Sequence, residues 1–73
     1  MARYDYLQSR KLVENDPTFA ALIMAAMRKA DFLNSEKLKH AWPEIWKELH
    51  ARYVAAGAWL PGEINDDGEV VSG

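Results

Sequence analysis

The chain has 73 residues, nine basic against eleven acidic side chains, no cysteine and 49% apolar residues. At this length one core rarely contributes more than about 3–5 kcal/mol, and small domains usually add a disulfide, a metal or a partner chain. The absence of cysteine excludes disulfides, thiolate nucleophiles and cysteine-based zinc sites. Tight helix packing or self-association therefore remains as the source of stability.

The sequence also lacks the segments that direct a chain to a membrane. No stretch reaches the ~18 consecutive apolar residues of a membrane span. The N-terminal residues carry charges and tyrosines where a signal peptide has its apolar segment. We therefore expect a soluble, intracellular protein without a membrane partner.

A first helix is predicted over residues 4–14, with Arg10 and Lys11 in its last turns, where cations suit the negative end of a helix. Asp16 followed by Pro17 has the pattern of a helix cap and a first-turn proline. The sequence therefore predicts that a second helix begins at Pro17 and continues to about Ala30.

The predicted second helix is apolar around its whole circumference, because residues 19–27 are nine apolar residues in succession. A helix of this kind must be covered on all sides. The flanking helices of so short a chain can cover two faces, which leaves a third for another copy or another protein. The residues predicted to form this partner surface, together with one tryptophan of the C-terminal loop, are Leu22, Ile23, Met24, Met27 and Trp59.

Two further helices are predicted around Pro43. Residues 31–35 have the composition of a junction in which Asn34 or Ser35 caps a short helix over 35–41. Since a residue before proline avoids the helical region, a new helix should begin at Pro43 and end before Gly57. Its apolar stripe has helical spacing and consists of Trp42, Ile45, Trp46, Leu49 and Tyr53.

The composition changes after Pro61. All nine basic residues but only seven of the eleven acidic ones lie in residues 1–61, which gives this part +2 and residues 62–73 a charge of −4. We therefore expect a helical domain over residues 1–61 and a flexible acidic tail over 62–73, with an Asp67-Gly68 hairpin between Ile64 and Val70 as the alternative. The predicted fold is all-α, a small bundle of three to four short helices followed by this tail.

A set of punctuating and core residues spread over residues 4–63 resembles a known group of proteins. The set comprises Tyr4-Asp5-Tyr6-Leu7, Ser9-Arg10, Asp16-Pro17, residues 21–31, Leu38, Trp42-Pro43-Glu44, Glu48-Leu49, Ala51-Arg52-Tyr53 and Leu60-Pro61-Gly62-Glu63. With these residues the chain resembles short proteins encoded by actinobacteriophages, in particular mycobacteriophages. The resemblance implies a phage accessory protein made in the cytoplasm of a bacterial host, of a kind that often binds a host component. The resemblance assigns a functional role to no residue of this chain.

The side chains that could carry chemistry do not form a recognised catalytic or metal-binding pattern. His40 and His50 are ten residues apart, on either side of Pro43, and lack a ligand spacing on one helical face. Residues 63–68 match only the first half of a calcium loop, whose twelfth position would be residue 74. Ser35 is better explained as a helix cap than as a nucleophile. We predict a protein that is not an enzyme and takes no cofactor or metal.

Nucleic-acid binding is the alternative function. Basic residues surround the junction between the second helix and the last two, where a helix-turn-helix could dock on phosphates. These residues are Arg28, Lys29, Lys37, Lys39 and Lys47. The net charge of −2 and the proline in the would-be recognition segment count against it. The preferred interpretation is a non-enzymatic interaction protein that forms a homo-oligomer, docks on a host protein, or does both.

Overall fold

A computed structural model of the chain describes residues 2–72. These residues form four α-helices, α1 (Arg3–Leu12), α2 (Phe19–Lys29), α3 (Phe32–Ala41) and α4 (Pro43–Val54), followed by a short 3₁₀ turn, Ala56–Ala58. The predicted all-α class and the predicted number of helices are confirmed. None of the helices is long and apolar enough to cross a membrane, as far as the described residues show.

Two helix starts differ from the prediction. α2 begins at Phe19 and not at Pro17, because Asp16 adopts a left-handed conformation (φ 50°) and Thr18 is the cap, accepting a 3.0 Å hydrogen bond from the Ala21 N–H. α3 begins at Phe32, three residues before the predicted start. Asp31 caps it by accepting a 2.8 Å hydrogen bond from the Asn34 N–H.

The start of α4 agrees with the sequence, since Pro43 occupies its first turn. Its end lies at Val54, and Gly57 takes the left-handed conformation (φ 64°) inside the following 3₁₀ turn. An added Cβ at Gly57 would lie 3.0 Å from Cδ1 of Trp59. Gly57 is therefore required both for the backbone turn and for the close approach of the Trp59 ring.

The acidic segment forms the hairpin that was the alternative to a flexible tail. Ile64 and Val70 make an antiparallel bridge. Toward the open end of the hairpin the Gly62 N–H donates to the Val71 carbonyl at 2.8 Å and the Val71 N–H donates to the Glu63 carbonyl at 2.7 Å. On the turn side of the bridge the Asn65 N–H donates to the Glu69 carbonyl at 2.9 Å. The division into a helical domain over residues 1–61 and a flexible tail over 62–73 stays a prediction.

α2, α3 and α4 pack on one another in a three-helix arrangement, and the 3₁₀ turn follows on α4. Of residues 2–72 only Met27 is buried, with 6% of its surface exposed. The half-buried side chains around this centre come from all three helices: Leu22, Ile23, Met24, Leu38, Ile45, Trp46 and Leu49. The core of the single chain is therefore very thin.

The chain is elongated. Its extents are 46 × 27 × 16 Å and its radius of gyration is 15.1 Å, whereas a compact chain of this length would have a radius of about 11 Å. The accessible surface is 6285 Å², against about 4600 Å² for a compact monomer of this mass. The isolated chain thus exposes about 1700 Å² more than a compact fold would.

Candidate functional site

Large apolar side chains remain exposed on every helix. Phe32 and Leu33, in the first turn of α3, are 75% and 71% exposed, and Tyr53 near the end of α4 is 78% exposed. Single exposed apolar residues are normal on a protein surface, and contiguous apolar patches are where partners dock. We call the following residues the exposed apolar set: Tyr4, Tyr6, Leu12, Val13, Phe19, Phe32, Leu33, Tyr53, Val54, Ile64 and Val70.

The structure corrects part of the predicted partner surface. Met27 lies in the core and is not available to a partner. Leu22, Ile23 and Met24 are each half-buried by the chain itself. Trp59 is also half-buried, beside Gly57. The side of α2 that stays uncovered is instead formed by small residues, Ala21, Ala25 and Ala26, with Phe19 at its first turn.

α1 is separate from the other helices. No Cα atom of α1 lies within 8 Å of a Cα atom in α2, α3, α4 or the 3₁₀ turn. Packed helices have axes only 8–10 Å apart, which brings some of their Cα atoms closer than 8 Å, so α1 is not packed on these elements. The side-chain hydrogen bonds of α1 are local, such as the Asp5 carboxylate accepting a 3.1 Å hydrogen bond from the Ala2 N–H. Isolated helices shorter than about 12–15 residues are marginal in water, and α1 has 10 residues.

A two-point ion pair joins the acidic hairpin to α4. Arg52 donates from Nη2 to Oε2 of Glu63 at 2.6 Å and from Nη1 to Oε1 at 3.0 Å. Arg52 Nη1 also donates to the Ala58 carbonyl at 2.7 Å, and the Leu60 N–H donates to Glu63 Oε1 at 2.8 Å. A second, longer ion pair joins Arg52 Nη2 to Oε1 of Glu48, one helical turn earlier in α4, at 3.9 Å. Arg52 thus holds both the backbone of Ala58, which has a left-handed conformation (φ 61°), and the start of the hairpin at Glu63.

These contacts shift both ionisation equilibria. The hydrogen bonds from Arg52, and then that from the Leu60 N–H, lower the pKa of the Glu63 carboxyl below its ordinary value. The hydrogen bond to Glu63 in turn raises the pKa of Arg52. Both groups therefore stay charged over the physiological range, and Glu63 is not free to act as a metal ligand.

The basic residues of the predicted nucleic-acid surface divide between two clefts. Lys37, Lys39 and Lys47 line an open cleft of about 800 Å³ whose wall includes the Trp46 indole. His40, Ala41, Pro43 and one acid, Glu36, complete its lining. A second cleft of about 170 Å³ lies on another side of Trp46 and is lined by Arg28, Trp46, Leu49, His50 and Tyr53. Lys29 lines neither cleft and is exposed at the end of α2.

Trp46 is the centre of an aromatic and cationic group. The Lys39 ammonium lies 5.3 Å from the Trp46 ring centroid, a cation–π contact worth about 0.5–1 kcal/mol at an exposed site. The His50 imidazole is stacked on the same indole at 6.3 Å between centroids and 15° between planes. A flat apolar ring bordered by positive charges can bind a planar anionic ligand.

The connections between the helices do not fit a helix-turn-helix. α2 and α3 are joined by two residues, Ala30 and Asp31, and α3 and α4 by Trp42 alone, whereas the motif uses a turn of three to four residues. The predicted docking of these helices on duplex phosphates is therefore not supported by the geometry. The basic residues come together instead as the lining of a cleft.

The other candidate chemistry does not assemble within the described residues. Across residues 2–72 no three acidic or histidine side chains are grouped closely enough to hold a metal ion. In the half-motif for calcium, Asn65 Oδ1 already accepts hydrogen bonds from the Asp67 and Glu69 N–H groups, both at 3.0 Å. Asp31 is likewise engaged as the cap of α3.

Sequence reasoning missed Phe32 and Leu33 as surface residues, because residues 31–35 were assigned to a junction. The signal was Asp31, a good cap residue placed directly before two apolar residues. It also missed Trp46 as a cleft residue, since its helical spacing indicated a core position. Comparison of the chain with protein-family models, curated proteins and solved structures gave no match.

Proposed function

We propose that the protein is a non-enzymatic interaction protein whose first partner is a second copy of itself. The observation that supports this is the accessible surface of the isolated chain, which exceeds that of a compact monomer of the same mass. About 1700 Å² per chain, counted on both copies, is about 3400 Å², which lies in the range of obligate dimer interfaces, about 2000–5000 Å². Assembly on this scale would supply the burial that the thin core around Met27 lacks.

α1 is the element that a second copy would hold. A short helix that is not packed on the other helices of its chain gains stability by packing an apolar side on another chain. Tyr4, Leu7 and Leu12 lie on one side of α1 by helical spacing. We propose that this side docks on α2 of the second copy.

The uncovered side of α2 suits such a contact. Ala21 and Ala25 are one turn apart and exposed, and small side chains allow two helix backbones to approach closely. Phe32 and Leu33, which begin the next helix, add large apolar surface to be covered. An exchange of α1 between two copies would make the interface the same on both sides, as closed dimers require.

The setting of this activity follows from the resemblance to actinobacteriophage proteins. We propose a phage-encoded product that acts in the cytoplasm of the bacterial host. A host protein is the second class of partner in this proposal, bound by whatever part of the exposed apolar set the assembly leaves uncovered. No cofactor or metal has a role in it.

Sedimentation velocity over a range of concentrations tests the role of α1 with two matched variants. Leu12→Asp places a charge on the proposed docking side and should dissociate the assembly, because an unpaired charge would be buried. Arg10→Asp changes the charge of α1 on another side and should leave the mass unchanged. If both variants sediment like the wild type, α1 is not part of the interface.

A further inference from the structure

We propose that the cleft beside Trp46 binds single-stranded nucleic acid, with a base stacked on the indole and the phosphates bound by Lys37, Lys39 and Lys47. This activity is separate from self-association and uses other residues. The lysines and the indole line one open cleft of about 800 Å³. Proteins that bind single strands combine these two features, a positively charged groove and an aromatic ring on which bases stack.

A base can replace the Lys39 ammonium on the Trp46 ring. A cation–π contact at an exposed site contributes a factor of about 2 to 5 to an equilibrium constant. Stacking of a base on an aromatic side chain contributes a factor of about 5 to 150. A base therefore displaces the Lys39 ammonium from the ring, and the long side chain of Lys39 can turn to a phosphate of the same strand.

The geometry favours a single strand over a duplex. The flat face of Trp46 can stack only on a base that is unpaired. The link between α3 and α4 is the single residue Trp42, so these helices lack the turn with which a recognition helix is set into a major groove. Glu36 is the one acid in the lining of the cleft, and it reduces the positive potential.

The test uses the full-length protein and a fluorescein-labelled oligothymidylate of roughly 20 nucleotides, followed by anisotropy in a salt series. With three lysines on phosphates, raising the salt concentration from roughly 50 to 200 mM should weaken binding about 20-fold. For Lys47→Ala the same change should weaken binding only about 7-fold. Lys11→Ala, on α1 and outside the cleft, should behave as the wild type.

Trp46→Leu distinguishes stacking from simple charge attraction. The variant should lose about 10-fold or more in affinity, while Trp59→Leu should keep it, with circular dichroism used to show that both are folded. Glu36→Gln should bind more tightly by a factor of about 2 to 3, and Glu14→Gln, outside the cleft, should not. Stacking should also quench part of the tryptophan fluorescence in the wild type and none in Trp46→Leu.

The proposal is overturned by any of three results. These are no binding at roughly 50 mM salt, an affinity that Trp46→Leu leaves unchanged, or equal binding of a duplex of the same length. The last two would show a general attraction of polyanions to basic side chains.

Discussion

Truncation of Phe32 separates assembly from the folding of the single chain. Phe32 is 75% exposed, so its own chain buries only a quarter of it. Since full burial of a phenylalanine contributes about 1.5–3 kcal/mol, about 0.5 kcal/mol belongs to the chain and about 1–2 kcal/mol is available to an interface. In a symmetric dimer the residue counts twice. Phe32→Ala should therefore weaken dimerisation by about 2–4 kcal/mol, a rise in Kd of about 30- to 700-fold.

Met27→Ala is the contrasting variant. Met27 is 6% exposed, and loss of a buried methionine costs about 2–5 kcal/mol. The half-exposed surroundings of this site should place the value at the lower end, about 2–3 kcal/mol. This loss arises inside the chain and is expected whether or not the chains associate.

The assay combines sedimentation velocity with urea unfolding followed by circular dichroism at several protein concentrations. For the wild type the unfolding midpoint should rise with concentration, because association stabilises only the folded chain. Phe32→Ala should shift the mass distribution toward monomer, and Asn34→Ala, an exposed polar control on the same helix, should not. An unchanged mass distribution for Phe32→Ala would refute the assignment of Phe32 to the interface.

Three other predictions concern local features. Gly57→Ala should destabilise the protein by about 1–2 kcal/mol, because it combines a left-handed backbone with a 3.0 Å approach to Trp59, and tryptophan fluorescence should change with it. Thr18→Ala should cost about 1 kcal/mol in urea unfolding through loss of the α2 cap, while Thr18→Ser should cost little. Because the pKa of Glu63 is lowered in the folded chain, its stabilisation is present above its ordinary pKa of 4.5 and is lost as the pH falls below it. The protection factors of the hairpin amides, which correct for the pH dependence of intrinsic exchange, should therefore fall on acidification below that pH in the wild type, and Glu63→Gln should show low protection factors already at neutral pH.

Much of the fold followed from local sequence signals. The Trp42-Pro43 step and Gly57 marked the limits of α4, because proline excludes a preceding helical residue and glycine tolerates a left-handed one. The errors at the starts of α2 and α3 had a common cause. Each region offers two cap residues within one turn, Asp16 and Thr18 or Asp31 and Asn34, and the sequence alone does not select between them; the structure uses Thr18 and Asp31.

The candidate sites were less predictable because they depend on long-range geometry. The apolar run of α2 predicted uncovered surface on that helix, whereas the structure exposes large apolar side chains on all four helices and on the hairpin. Helical spacing could not show that Trp46 separates two clefts, since a core position has the same spacing. The contact between Arg52 and Glu63 joins residues 11 apart across a turn, and no local pattern predicts such a pair.

Sedimentation equilibrium of the wild-type protein at tens of micromolar tests self-association most directly. We predict a mass of at least twice the 8.3 kDa of one chain, with an unfolding midpoint that rises with protein concentration. A mass of 8.3 kDa together with cooperative unfolding independent of concentration would contradict the proposal. It would show that the single chain, with only Met27 buried among residues 2–72, is stable without a partner.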